Sequence, residues 1–341
     1  MVTQRREGLL ALLLIVMAAP AWAGTETRVG TGGATELRLP VDARCIALGS
    51  STMASVSGVE ALFFNPAGVA ATDAKTEVVF THTKYIADID LNYFGVAQSF
   101  GDWGSLGFSA KVLSVGEMLR TTEDSPDGTG ETFNPTFSTL GLTYSRRMTD
   151  RVNFGGTVYY VAERVLQETA AGVAFDFGFQ YETGFGGSSI GLAMKNVGGS
   201  LEFTGSDFEV NLIRPGDDPT ATPRTLSNSS AGFELPAYFQ IGASYPLLRQ
   251  GANQAAAYAV YQNNSFMRDE YRGGLEWLYR KDFALRMGFS GSGSNNDIFG
   301  LAYGLGFGLP FGTTRLHVDY AGQTVSDFFD DVQTFSLKFL F

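Results

Sequence analysis

The sequence predicts an all-β fold, a fourteen-stranded antiparallel transmembrane β-barrel with an N-terminal hatch inside the lumen. Three observations lead there: a secretory leader, long segments of alternating polarity, and connections that switch between tight and long. Composition agrees. Charged residues make up only 17% of the chain, against about 25% in an ordinary soluble domain. Glycine (42) and phenylalanine (28) are abundant, and a net charge of -11 argues against a nucleic-acid partner.

The first element is the leader, residues 1–23. Arg5 and Arg6 supply a basic start, Leu9 to Met17 an aliphatic core too short to span a bilayer, and Ala21-Trp22-Ala23 a small-x-small cleavage pattern. Cys45, the single cysteine, lies well past this site, so the leader is not of the lipoprotein kind. One cysteine also excludes an intramolecular disulfide and any cysteine-cluster metal site.

Residues 24–74 form the second element. They are Gly-rich near Gly30 to Gly33 and rich in Ala, Ser and Val from Ala43 to Ala71. Ser57 is placed to cap a short helix with Glu60 at the capping-box position, and Pro66 and Gly68 would end it. A fourteen-stranded barrel is too wide for wall side chains alone to fill, so this stretch is the expected plug.

The wall, residues 75–341, is the third element. Expected strands cover 75–85, 90–100, 104–120, 135–147, 151–163, 171–182, 187–197, 235–247, 252–262, 270–280, 283–291, 298–309, 313–322 and 332–341. In the last of these Phe335, Leu337, Phe339 and Phe341 alternate with Thr334, Ser336 and Lys338. Tyr271, Leu275, Trp277 and Tyr279 alternate likewise against Arg272, Glu276 and Arg280. Period two with one apolar and one polar face is a half-buried strand. Most segments are near the 9–11 residues that a tilted membrane strand needs, and a closed barrel leaves no unpaired edge in lipid. Links after even-numbered strands are tight, such as Gly101-Asp102-Trp103 and Pro310-Phe311-Gly312. Those after odd-numbered strands are longer, above all 121–134 and 198–234. Short periplasmic turns and long extracellular loops follow this rule, which puts both termini on the periplasmic side of an outer membrane.

No catalytic, metal or cofactor-binding constellation emerges. His82 and His317 lie on the first and penultimate strands and have no defined third ligand. Gly184-Phe185-Gly186-Gly187 has no following Lys-Ser/Thr and no helix to cradle a phosphate. Gly304, Gly306 and Gly308 alternate in one strand and read as relief of crowding against the hatch. Glu123, Asp124, Asp127 and Glu131 share a loop, and Asp327, Asp330 and Asp331 crowd another; they fit a solvated acidic surface or a cation held near lipopolysaccharide phosphates. In the 198–234 loop, Phe203, Phe208, Leu212 and Ile213 are apolar among polar neighbours. They read as a lid, a docking surface for a partner, or residues packed on neighbouring structure.

The stretch Ala61-Leu62-Phe63-Phe64-Asn65-Pro66-Ala67-Gly68-Val69 resembles the PorV/PorQ family, within the FadL-like group of fourteen-stranded outer-membrane barrels. Ile190-Gly191-Leu192-Ala193-Met194-Lys195-Asn196-Val197-Gly198, Glu234-Leu235-Pro236 leading into Gly242-Ala243-Ser244-Tyr245, and the run from Arg315 to Phe341 resemble it too, so the resemblance spans nearly the whole mature chain. It implies that Asn65, Pro66, Ala67 and Gly68 belong to the hatch, and that Phe341 is an assembly signal for the barrel assembly machinery. Two departures stand out. Met53-Ala54-Ser55-Val56-Ser57 replaces a glycine-alanine and acidic stretch, and the short link at 164–170 omits the extended element of FadL-type channels.

Three functions follow as expectations, none of them enzymatic. The first is a barrel that binds secretion-system proteins or secreted cargo in type IX-like secretion or surface attachment. The second is a FadL-like transporter of hydrophobic small molecules, and the third a plugged scaffold among outer-membrane lipid and lipopolysaccharide. Polar inward positions such as Arg272, Glu276, Arg315, His317 and Asp319 weigh against free axial passage of an apolar molecule.

Overall fold

A computed structural model describes residues 28–72, 74–212, 224–280, 282–293, 297–312, 314–326 and 329–341; the leader expected at 1–23 lies outside them, as do Ile213 and Asp327. The wall strands are β1 Thr76–Lys84, β2 Asp90–Ser99, β3 Ser105–Ser114, β4 Thr136–Thr149, β5 Val152–Val165, β6 Glu168–Glu182 and β7 Ser189–Gly198. They continue as β8 Tyr238–Gln250, β9 Asn253–Asn264, β10 Glu270–Tyr279, β11 Phe283–Gly291, β12 Phe299–Phe311, β13 Thr314–Val325 and β14 Val332–Leu340. Each pairs antiparallel with its sequence neighbours, and β1 closes the sheet on β14 from Glu77–Leu340 to Lys84–Gln333. This is the fourteen-stranded closed barrel that the alternation predicts. No helix among the described residues is long and apolar enough to cross a membrane.

Pleat sends successive side chains to opposite sides, so lipid and lumen select alternate residues. On β12, Leu301, Tyr303, Leu305, Phe307 and Leu309 are exposed on the outer face, while Ala302 is buried within. On β4 and β5, Leu140, Leu142, Val158 and Tyr160 point out; Thr143 and Thr157 point in and share a hydrogen bond of 2.8 Å. Thr81–Ser336 and Thr83–Thr334 bonds stitch the closing seam from inside at 2.8 and 2.9 Å. An apolar outer band with a hydrogen-bonded polar lining suits a wall between hydrocarbon and a polar interior.

The described residues of the connections after β2, β4, β6, β8, β10 and β12 lie at one end, and those of the connections after the odd-numbered strands β1 to β13 at the other. Phe341 N–H donates to the Thr76 carbonyl at 2.9 Å at the tight-turn end. The chain is therefore a multi-pass outer-membrane barrel whose wall begins and ends on the periplasmic side.

Several expectations change in detail. β3 stops at Ser114 rather than near 120, because the Val115 N–H bonds to the Pro135 carbonyl and Gly116 turns the chain at φ 92°. Short strands Met118–Leu119 and Thr132–Phe133 pair within that loop. The link after β5 contracts to residues 166–167, with Leu166 at φ 54°. The 199–237 loop carries Phe203–Thr204, which pairs with β6, and Glu209–Leu212, which pairs with Arg224–Ser227.

Ahead of β1, residues 28–72 run along the inner face of the wall. Gly30 N–H and Gly33 N–H bond to the carbonyls of Phe266 and Glu234 at the long-loop end. Thr72 reaches Glu77 at the opposite end. The segment holds helix α1 (Ala43–Ala47) and helix α2 (Ala61–Phe64). Val41, Val56, Val59, Leu62, Phe63 and Phe64 form its principal core against Val79, Leu91, Tyr93 and Leu113 of the wall.

Candidate functional site

So short a segment with so little regular structure leaves many backbone groups to satisfy. The wall supplies the partners. Asn65 Nδ2 donates to the carbonyls of Met53, Phe179 and Leu192 at 2.9, 3.2 and 3.4 Å, and its Oδ1 accepts the Ala67 N–H at 3.2 Å. Gln180 donates to the carbonyls of Met53 and Val56, Ser145 to Ala67, Tyr159 to Leu62, and Lys111 to Glu36. Asn65 also caps the 3-10 turn Pro66–Ala70, with Pro66 at a position that needs no N–H. Asn65, Pro66, Ala67 and Gly68 are all buried.

The expected Ser57 cap does not form. Ser57 makes no side-chain bond to the turn that follows; the wall carboxylate of Glu77 takes the Val59 N–H instead, at 3.0 Å. Glu60 is drawn away from the capping-box position by two cations. It pairs with Lys338 and, at 2.8 Å, with Arg44.

Those pairs belong to a buried charge network that joins the segment to β10, β11, β13 and β14. Arg44 grips both oxygens of Glu276 at 3.0 Å, Arg286 Nε meets Glu276 at 2.9 Å, Arg286 also pairs with Asp319, and Tyr258 donates to Glu276 at 2.8 Å. Breaking one partner of such a set costs about 3–5 kcal/mol, because it strands a desolvated charge. Arg44 and Arg286 were not singled out from sequence, and Glu60 and Lys338 were read there only as a capping-box residue and a polar-face residue of the last strand. Charges at inward-phase positions of the late strands were the available signal, and Glu276 and Asp319 showed it.

Burial alone would raise the Glu60 carboxyl, yet Lys338 and Arg44 outweigh it and hold the group down at about 2. Asp42 has the reverse balance. Burial, and then repulsion from Glu60, lift its carboxyl to about 7 against the pull of Lys338. Burial pushes the Cys45 thiol well above its usual range, with Asp42 and Glu60 adding to the effect. Asp42, Cys45 and Glu60 lie within ligand reach of one another. A protonated thiol and a carboxylate already held by two cations make a poor donor set for a metal ion.

On the opposite side of the lumen, β7 carries a bulge. The pairing of Phe175 with Val197 shifts to Phe177 with Met194, and Asn196 sits at φ 57°. The Asn196 N–H donates to Asp176 at 2.7 Å; Lys195 pairs with Asp176 at 3.1 Å and donates to the Phe63 carbonyl of α2. Two consecutive side chains, Lys195 and Asn196, therefore face inward, which strict alternation would forbid.

The other sequence candidates are dispersed. Phe203 is half-buried at the mouth, its ring 5.7 Å from that of Phe233, above Leu201, Leu235, Ala34 and Leu37. Phe208 is half-buried in the turn Ser206–Phe208, and Leu212 lies on the short strand Glu209–Leu212. Phe341 is exposed beside the closing seam. His82 is exposed and bonded to Asn92 at 2.9 Å, whereas His317 faces the lumen opposite Lys338; the two are not brought together. Of the three alternating glycines of β12, a Cβ on Gly304 would lie 2.5 Å from that of Ala47, while Gly306 sits under Arg286 and Asp319.

The same barrel is found in known structures. The chain is similar to the Pseudomonas putida toluene transporter TodX, with a TM-score of 0.57 at 13% identity over 92% of this chain and 98% of that one. It is similar to a TodX monoaromatic hydrocarbon channel mutant (0.53, 14%, 87% and 96%) and to a Pseudomonas aeruginosa FadL homologue (0.50, 13%, 88% and 98%). No protein-family model and no curated protein matches the sequence. At such identities the likeness establishes a FadL/TodX-like fold. It also corrects the expectation of a type IX-like secretion barrel that binds secretion proteins or cargo: the three structures named above are a toluene transporter, a monoaromatic hydrocarbon channel mutant and a FadL homologue.

Proposed function

We propose that this chain is a non-enzymatic transporter that lets small hydrophobic molecules cross the outer membrane, with residues 24–74 as its hatch. One observation carries the proposal, the fold shared over 92% of the chain with a toluene transporter. Within the FadL-like group, the Asn65-Pro66-Ala67 stretch supports a place near PorV/PorQ, without a secretion role. Phe341, outward-facing at the closing seam, suits a signal read by the assembly machinery.

The lumen shapes how transport would work. The inner wall is apolar where it meets the core of the segment and charged along β10 to β14. The cavity beside Phe63 and Lys111 measures about 10 Å³, and one of about 190 Å³ lies between Arg44 and the inner faces of β9 to β14. A plugged scaffold is the second reading, favoured by the packing of the segment against β1 to β3.

Native mass spectrometry separates the two. The protein is exposed in detergent to a monoaromatic hydrocarbon, a long-chain carboxylic acid and a disaccharide, then released into the gas phase. Selective retention of either apolar ligand supports transport; no retention of any of them leaves the scaffold.

A further inference from the structure

An apolar cluster lies just inside the long-loop end of the lumen. Ala34 and Leu37 of the N-terminal segment pack there against Tyr159 and Val161 of β5, Ala170 and Ala174 of β6, and Leu201 and Leu235. Three carboxyl groups are set into this apolar surround. Glu36 stands between Ala34 and Leu37, Glu163 is paired in register with Ala170, and Glu168 lies one inward position nearer the long loops. They are 5, 7 and 9% exposed.

Their oxygens are short of donors. Glu36 Oε1 and Glu168 Oε2 have no hydrogen-bond partner among the described residues, and Glu168 Oε1 accepts the Asp207 N–H at 2.7 Å. The Glu36 side chain meets that of Glu163. Two buried carboxyls in contact hold one proton between them, and the single charge left on the pair faces the Lys111 ammonium. The neighbouring cations are already committed. Arg28 is held by Glu234 and Arg38 by Glu270. Lys111 donates to the Glu36 carbonyl from a deeper level, in register with Thr139 and Val161. The approach from outside is acidic as well. The long connections carry Glu123, Asp124, Asp127, Glu202, Asp330 and Asp331, and their basic side chains among the described residues are those of Arg120, Arg224 and Arg268. A carboxylate that entered here would give up its water, find acceptors where it needs donors, and approach charge of its own sign before it reached Lys111. An uncharged apolar solute bears none of these costs.

We propose that Glu36, Glu163 and Glu168 make this mouth selective by charge, so that the solute admitted is an uncharged apolar molecule and a carboxylate of the same size is turned away. This selectivity rests on the transport reading above and narrows its substrate class. Discrimination of at least about tenfold is expected, the low end of what a charge-lined cleft does to encounter rates.

Porin-deficient Gram-negative cells with the folded protein in their outer membrane are given labelled toluene, benzamide or benzoate, which share one ring and differ in polarity and charge. Uptake beyond that of cells without the protein should be at least about tenfold lower for benzoate than for toluene, with benzamide well above benzoate. Glu163→Gln combined with Glu168→Gln should admit benzoate and leave toluene uptake unchanged, which also shows that the variant folds. Equal uptake of toluene and benzoate overturns the selectivity and leaves transport standing. So does equal exclusion of benzamide and benzoate, which marks polarity rather than charge, or continued exclusion of benzoate by the double variant. Absence of toluene uptake overturns the transport reading itself, and the selectivity with it.

Discussion

Asp42 caps α1 by accepting the Cys45 N–H at 2.9 Å, and it does so buried beside Glu60. Its carboxyl, ordinarily at 3.8, rises to about 7. The folded chain thus holds a proton that the unfolded chain has released, between those two values. The stability that Asp42 contributes is fully present below pH 3.8 and is lost as pH climbs through 7. Glu60 works in the opposite sense, with its contribution lost as pH falls from about 4.5 toward 2. Cys45, the sole and fully buried cysteine, reports both. Its labelling rate, divided by that of the denatured chain at the same pH, should rise from pH 5 to pH 7 and level off above. Asp42→Asn keeps the cap acceptor and should flatten that slope; an unchanged slope would refute the assignment.

At the scale of elements, the wall was legible and its interior only partly so. Alternation located all fourteen strands because lipid and lumen impose opposite demands on successive residues. It overran β3, where Gly116 and Pro135 end the pairing by backbone geometry that polarity does not record. It also could not foresee the β7 bulge, since Lys195 and Asn196 break the period that the method relies on. The inward glycines were legible as relief of crowding, and their role is close approach. A Cβ on Gly288 of β11 would lie 2.1 Å from the Gly49 nitrogen, and one on Gly178 of β6 would lie 2.0 Å from Asn65 Oδ1. The Gly288 neighbour is backbone and yields little. Gly288→Ala should therefore loosen residues 43–70 by about 1–3 kcal/mol while the barrel still assembles. Cys45 labelling should accelerate about tenfold for each 1.4 kcal/mol. Retention of the heat-modifiable barrel band on a gel would show that the wall is intact, and unaltered labelling would count against the packing described.

For the molecule as a whole, the charge network lay beyond sequence reasoning because its members are far apart along the chain. Lys338 and Glu60 are 278 residues apart, and Arg44 and Glu276 are 232 apart. Only closure of the barrel on β1 and β14 brings the first of these pairs together. The same closure packs the N-terminal segment inside the wall, so the proposed transport depends on whether that segment gives way to an apolar solute. Lipid bilayers alone hardly resist such solutes, so the decisive assay needs the lipopolysaccharide leaflet of intact Gram-negative cells as its barrier. Uptake of a labelled monoaromatic hydrocarbon should be faster and saturable in cells that carry the folded protein in the outer membrane. Gly288→Ala should change that rate. Uptake no faster than in cells without the protein, despite a folded barrel at the surface, would contradict the transporter account.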